Sequence, residues 1–425
     1  MLLESQAKSV TEHMRDSAVM LTHPTFGYCT NVHAGITLEQ AKANLLKYAG
    51  RVREAIGAEK LPVGLWLAEE AAQELATNNA AEDFAAWLGE HGFLPYTLNG
   101  FPQGNFHQDV VKLDVYRPTW AEKSRREYTS RLISILDTLL PEGHTGSIST
   151  LPLGWPDASW RAGGLDAAAH NLLAIAEQLA SLFDETGREI VLAIEPEPGC
   201  QLNTAEEVVA FFERYIFAGS GTAARRHLGV CHDVCHSGVM FESQTGALEA
   251  YRNAGIRIGK VQVSSAVHVP WDQAATHDAK QQILEQLRQF DEPKYMHQTS
   301  RGWGNELEEL ASDLPAALAD WTPEGSLPLP DQPWRVHFHV PIFVHDFGSL
   351  QTTASQIGEV VDYLATNGQT ALDSYPWFLG HYEVETYAWP VLPKELQVND
   401  LADGISKELI AFEAIRQSSI SDERT

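Results

Sequence analysis

Basic residues are scarce in this chain. Thirty lysines and arginines stand against 57 aspartates and glutamates, a formal charge of -27, so phosphate backbones and anionic lipid would be repelled over most of the surface. No nucleic-acid partner is expected. Cysteine is also sparse: Cys29, Cys200, Cys231 and Cys235 form no CxxC pair. No initial stretch joins basic residues to an apolar core, so the expected setting is the reducing cytoplasm. No run approaches 18 uninterrupted apolar residues, which excludes helical membrane insertion. Neither GxGxxG nor GxxxxGK[ST] follows any candidate strand, and this removes the usual mark of an open, doubly wound nucleotide-binding sheet.

What is present is a large apolar fraction, 44% of the chain, enough for a sizeable core. Residues 1–25 read as a polar, mobile leader, and residues 26–425 as a single domain. Across it short β-rich runs alternate with stretches of helical period, the pattern of parallel strands joined by crossover helices. The candidate strands are FGYCTNVH, PVGLWLA, FLPYTLN, TGSISTLPL, EIVLAIE, HLGVCHD, IRIGKVQVS, WRVHFHVPI and HYEVETY. Thr37–Gln40, Thr119–Glu122 and Thr204–Glu207 match capping boxes. The apolar face running from Leu165 to Phe183 predicts a long helix closed by Gly187. Eight such units make an α/β protein, a (β/α)8 TIM barrel. The surplus chain, at about 266–345, reads as an insertion after strand seven that contains KYMHQTSR and WRVHFHVPI as a pair of strands. SQIGEVVDYLA then supplies the seventh barrel helix.

The run EIVLAIEPEPG poses the functional question, because it is built for burial yet ends in Glu195 and Glu197. An unpaired buried charge costs several kcal/mol, roughly. In such a barrel chemistry gathers at the carboxyl ends of the strands. There Glu195 ends strand five, Asp233 strand six, and Gln262 and Glu385 lie late in strands seven and eight. Alternation of side chains along each strand aims all of them at one rim. A lone strand-end carboxylate is more often a solvated loop charge, but this constellation on consecutive strands points to a divalent cation. Mn2+ or Zn2+ is favoured, with Mg2+ and Co2+ also admissible. Glu197 reads as a loop or substrate-facing carboxylate, and Arg301 as a solvated loop arginine more than a lid. His339 and His337, on one face of an inserted strand, are candidates for the metal and for substrate. The same parity places Lys260 and Glu383 one layer below the rim and predicts a buried ion pair between them.

These residues resemble the xylose isomerase-like barrels. The likeness rests on EP after strand five, DxxH after strand six and Glu385-Thr-Tyr in strand eight. More specifically, CTNVHAG, TLNGFPQGNFHQDVVK, SISTLPLGW, HDVCHSG, KVQVSSA, VHFHVPIF and HYEVETYAW look like the metabolite-traffic protein E family. The resemblance implies a divalent metal held by Glu195, Asp233, the strand-seven residue and Glu385, with His236 beside it. The strand-seven residue is histidine in the isomerases and Gln262 here, a departure from the pattern.

The expected activity is isomerisation or epimerisation of a small polyhydroxylated carbonyl compound, a sugar, sugar phosphate or cyclitol, through a metal-stabilised enediolate. Glu195 and Glu385 would move the proton. His236, His33, His107 and His337 would bind substrate, and Glu195, Asp233, Gln262, His339 and Glu385 the metal. The alternatives are a metal-dependent hydrolase of the endonuclease IV type and a non-catalytic metabolite-binding barrel. A homodimer is left open.

Overall fold

The structure is a computed structural model that describes residues 25–157, 160–219, 221–319, 321, 328–372, 375–398 and 400–422. The expected leader lies outside the described residues except for Thr25. The apolar runs form β1 (Thr25–Cys29), β2 (Leu61–Trp66), β3 (Phe93–Asn99), β4 (Gly146–Thr150), β5 (Ile190–Ile194), β6 (Leu228–Asp233) and β7 (Arg257–Val263). With the last barrel strand, β16 (His381–Val384), they pair in parallel and close in the order β1-β16-β7-β6-β5-β4-β3-β2. The chain is a closed (β/α)8 barrel. Its strands are buried almost throughout because helices cover the outside and side chains fill the inside.

Local signals hold well at two of the three expected capping boxes. Thr37 and Thr204 each accept from the backbone of the residue three further on, and Gln40 and Glu207 reach back. Thr119 is different: its own N–H donates to Glu122 Oε1 at 2.8 Å, while the helix begins only at Lys123. The threonine belongs to the preceding turn, so this cap expectation is corrected. The helix Leu165–Thr186 ends on Gly187 at φ 72°, a left-handed residue that glycine adopts without steric cost.

Between β7 and the helix Ser355–Asn367 the chain builds a separate antiparallel sheet from β8 (Val267–Val269), β9 (Thr299–Trp303), β10 (Glu306–Ala311), β11 (Trp334–Val336), β12 (Asp346–Phe347) and β13 (Leu350–Thr352). Its order is β10-β9-β11-β8-β13-β12. The two expected strands are thus neighbours in a six-stranded sheet: β9 takes only the last three residues of KYMHQTSR and runs on to Trp303, and β11 only the first three of WRVHFHVPI. A small ribbon, β14 (Ala371–Leu372) with β15 (Tyr375–Pro376), precedes β16. Among the described residues no helix is long and apolar enough to cross a membrane.

Inside the barrel Lys260 Nζ lies 2.5 Å from Glu383 Oε2, with both side chains fully buried. The parity argument therefore holds. Lys260 also donates to Ser149 Oγ at 3.1 Å. Gly64 on β2 makes room for this pair, since a Cβ added there would overlap the Glu383 carboxylate.

Candidate metal centre and cavity

Glu195 follows the last residue of β5, Asp233 ends β6, Gln262 lies in β7 and Glu385 follows β16. All are buried. Oxygens of Glu195, Asp233 and Glu385 lie within 4.8 Å of one another. Their surroundings separate them. Glu385 Oε1 accepts from Asn31 Nδ2 at 2.6 Å and Asn99 Nδ2 at 2.9 Å, so amides from the ends of β1 and β3 fix that carboxylate. Asp233 Oδ1 caps the next helical turn by accepting from His236 N at 2.9 Å, and it also accepts from Ser264 Oγ at 2.7 Å. Glu195 Oε2, Asp233 Oδ2 and both amide atoms of Gln262 have no hydrogen-bond partner in the protein.

Burial pushes the Glu195 carboxyl well above its ordinary value, reinforced by the charges of Glu385 and Asp233. Glu385 is raised in the same way by burial and then by Asp233 and Glu383. Burial would also raise Asp233, but His236 and His339 beside it, the His236 N–H and the Ser264 hydroxyl hold it below the usual carboxylate range. Carboxylates this close coexist as anions only around a positive charge. The orphaned oxygens, the neutral Gln262 carbonyl and adjoining imidazoles therefore fit a divalent cation.

His337 and His339 arrive from the insertion. They lie past the end of β11 and not on the strand itself, which corrects the expectation. The extended segment is tied down by His337 N to Gln298 O at 2.8 Å and Val340 N to Ser265 O at 3.0 Å, which draws it across the barrel mouth. His339 Nε2 lies 3.8 Å from Asp233 Oδ2, as does His236 Nε2.

The other two expected histidines are not brought to this cluster. His33 stacks on Tyr48 at 4.4 Å and meets the Tyr28 hydroxyl at 3.1 Å, beside a different cavity. His107 reaches the Asn31 carbonyl at 2.6 Å, outside the lining of the cavity beside the cluster. Burial lowers their pKa values to about 3 and about 4.

The cavity beside the cluster, about 510 Å³ including its open mouth, is lined by Glu195, Glu197, His236, His337, His339 and Glu385 on its polar side. The opposite wall is aromatic: Phe106, Tyr295 and Tyr387 pack ring against ring at 5.1–5.3 Å. Lys112 is the only cationic side chain among the lining residues, and it is paired with Asp313 at 2.7 Å. Arg301 pairs with Glu309 in the β9–β10 hairpin, away from the cavity.

Several site residues went unrecognised in the sequence. Asn99 ends β3 and Asn31 lies two residues past β1, so extending the strand-end rule to neutral polar residues would have found them. Glu197, read from the sequence as a loop or substrate-facing carboxylate, is buried, accepts from Tyr116 Oη at 2.7 Å and Gln298 Nε2 at 3.1 Å, and has its pKa raised by burial to about 7. No local pattern marks Tyr116 or Gln298.

Fold and site together define a closed (β/α)8 barrel with a buried carboxylate and imidazole cluster at the carboxyl ends of its strands. Solved structures similar to the chain include xylose isomerase-like TIM barrel proteins. One is such a protein from Mycobacterium smegmatis in complex with magnesium, at TM-score 0.49 and 10% identity over 94% of this chain and 98% of that one. Another is an L-ribulose 3-epimerase, at TM-score 0.45 and 12% identity over 94% and 96%. A third is a family 2 AP endonuclease from Brucella melitensis, at TM-score 0.38 and 15% identity over 57% and 79%. No family model and no curated protein matches the chain.

Proposed function

We propose that the protein is a divalent-metal-dependent isomerase or epimerase of a small, uncharged polyhydroxylated carbonyl compound. The observation that carries this reading is the buried Glu195, Asp233 and Glu385 cluster, in which Glu195 Oε2 and Asp233 Oδ2 have no partner in the protein and Glu195 and Glu385 line a cavity with aromatic rings in its wall. Glu195, Asp233 and Glu385 would hold the cation, with the Gln262 carbonyl as a neutral donor. A bound divalent cation supplies charge neutralisation here and draws electron density from a substrate carbonyl. The metal's identity is a matter for the test below, with Mn2+ and Zn2+ favoured.

The chain's own residues supply the proton chemistry. Glu195, as the anion and through its unpartnered Oε2, takes the proton from the carbon beside the carbonyl. That C–H electron pair then becomes the C=C bond of an enediolate, and the carbonyl π pair moves onto oxygen. Glu385, positioned by Asn31 and Asn99, delivers a proton to the other carbon or the other face. Glu197 accepts from a substrate hydroxyl, and the Phe106, Tyr295 and Tyr387 wall excludes water from the reacting carbon. The paired state of Lys112 favours a sugar or cyclitol over a sugar phosphate. The run of longer motifs shared with metabolite-traffic protein E supports a place in the making or movement of a metabolite.

The test is deuterium uptake from D2O at the carbon beside the carbonyl, across a panel of polyol ketones and aldehydes with Mn2+ or Zn2+ added. Exchange is expected with at least one compound and is lost in Glu195→Gln. Absence of exchange throughout the panel, or protein that retains no cation after desalting, overturns the reading.

A further inference from the structure

Hydrocarbon as well as carboxylate lines the cavity beside the cluster. Phe101, Pro102, Phe106, Val111, Val115 and Met296 supply that part of the wall, and none carries a charged or strongly hydrogen-bonding side chain. Their backbone groups are committed elsewhere. Phe101 O accepts from Arg125 Nη1 at 3.0 Å and Pro102 O from Trp66 Nε1 at 2.9 Å, while Val111 N donates to Lys294 O at 2.7 Å. A substrate hydroxyl pressed against this surface would lose water and gain no partner, which is unfavourable. A bare polyol therefore does not account for the wall.

The same surface continues beyond the cavity. Pro102, Phe106, Val111 and Val115 also line a second cavity, about 420 Å³ including its open mouth, together with Gln108 and Asp114. The two cavities thus adjoin along four apolar side chains. Val111 is buried and Val115 half-buried, and beside them Val110 and Leu113 are 53% and 43% exposed, so the apolar character of this segment runs out to the surface. Lys112, the cation of the lining, is paired with Asp313, and Glu195, Glu197 and Glu385 repel anions. Nothing in this wall favours a charged substituent.

We propose that the substrate is an amphiphile: a polyhydroxylated carbonyl head held at the carboxylates, bearing an uncharged hydrocarbon substituent that packs along Pro102, Phe106, Val111 and Val115. The proposal rests on the preceding reading for the head group alone. The place of the substituent rests on the shared apolar wall.

The test is calorimetric titration of the manganese-loaded full-length protein with n-alkyl glucosides from methyl to hexyl, uncharged polyols that differ only in chain length. Affinity is expected to rise by about fourfold for each methylene that leaves water. Val115→Asp, and Val115→Trp, which fills the space instead of charging it, are expected to flatten the series, with circular dichroism confirming that both are folded. Leu46→Asp, at an apolar residue 49% exposed and outside both linings, is expected to keep the slope, which separates the site from general adsorption. Equal affinity along the series, no binding by any member, a slope untouched by both Val115 variants, or one that Leu46→Asp also removes overturns the proposal. Such a result alongside deuterium exchange with unsubstituted polyol ketones leaves the proposed function standing. A rising series without exchange from any carbonyl compound overturns that function and keeps the apolar subsite.

Discussion

Glu383→Gln keeps the shape of the side chain that fills the space beside Gly64 but leaves Lys260 without its partner. In the native protein burial would lower the Lys260 pKa, yet the Glu383 charge at 2.5 Å outweighs it and raises the value above that of free lysine. The pair's contribution is thus fully present below the unfolded pKa of about 10.4 and is lost only at higher pH. In the variant the sign reverses. A fully buried lysine that must shed its proton to fold costs about 1.36 kcal/mol for each pH unit below about 10.4, or roughly 4 kcal/mol at pH 7.5. That figure is a ceiling, because Glu195 also acts on Lys260, and it falls within the roughly 3–5 kcal/mol typical of breaking a buried pair. At pH 9.5 the same calculation leaves about 1 kcal/mol. Urea denaturation of the wild type and the variant at both pH values measures the difference. Adding Lys260→Met to Glu383→Gln is expected to recover most of the loss, since a neutral pair avoids the buried charge. A loss under about 1 kcal/mol at pH 7.5, or one that does not shrink by pH 9.5, refutes the reasoning.

Gly64→Ala places a methyl group where the Glu383 carboxylate sits; thermal melting should show a destabilisation of roughly 3 kcal/mol, because the acid can yield only by leaving Lys260. Asn99→Ala and Asn31→Ala each strip one donor from Glu385 Oε1 at about 1–3 kcal/mol, and calorimetry should show altered cation affinity in both variants. Excess Mn2+ or Zn2+ at about 100 times its Kd should stabilise the native protein by about 2.7 kcal/mol against denaturant, a gain that chelator and Glu195→Gln both abolish. Glu408, buried against Thr386, Ile342 and Trp389, has its pKa raised by burial to about 7. Its penalty is absent below the unfolded pKa and grows as pH rises through the folded value. Wild-type stability relative to Glu408→Gln should therefore fall by roughly 3 kcal/mol between pH 4.5 and pH 8, as read by urea midpoints.

The barrel and the acidic pole of its site were legible from residue order because both obey short-range rules. Alternation along a strand decides which side chains point inward. That is why Glu195 and Asp233 could be assigned to one rim, and why the Lys260 and Glu383 contact could be forecast from two-residue offsets. The capping signals at Thr37 and Thr204 are likewise local. Thr119 shows the limit of such signals, since the same four-residue pattern served a turn once the chain entered its helix later.

Contacts made by the loops and the insertion were decided by tertiary structure alone. Tyr116, Glu197, Gln298 and His337 belong to one hydrogen-bonded chain, although they come from loops after β3 and β5 and from the insertion. Which loop crosses the barrel mouth depends on where the antiparallel sheet docks, a long-range property that no spacing encodes. His33 and His107 illustrate the converse: both follow barrel strands, but loop geometry turns them away from the cluster. The orientations of the His236, His337 and His339 rings depend on oxygen partners supplied by Pro196, Gln298 and Glu385. Residue order therefore determined the barrel and its carboxylate rim, while only the packed insertion brought the imidazoles of His337 and His339 to them.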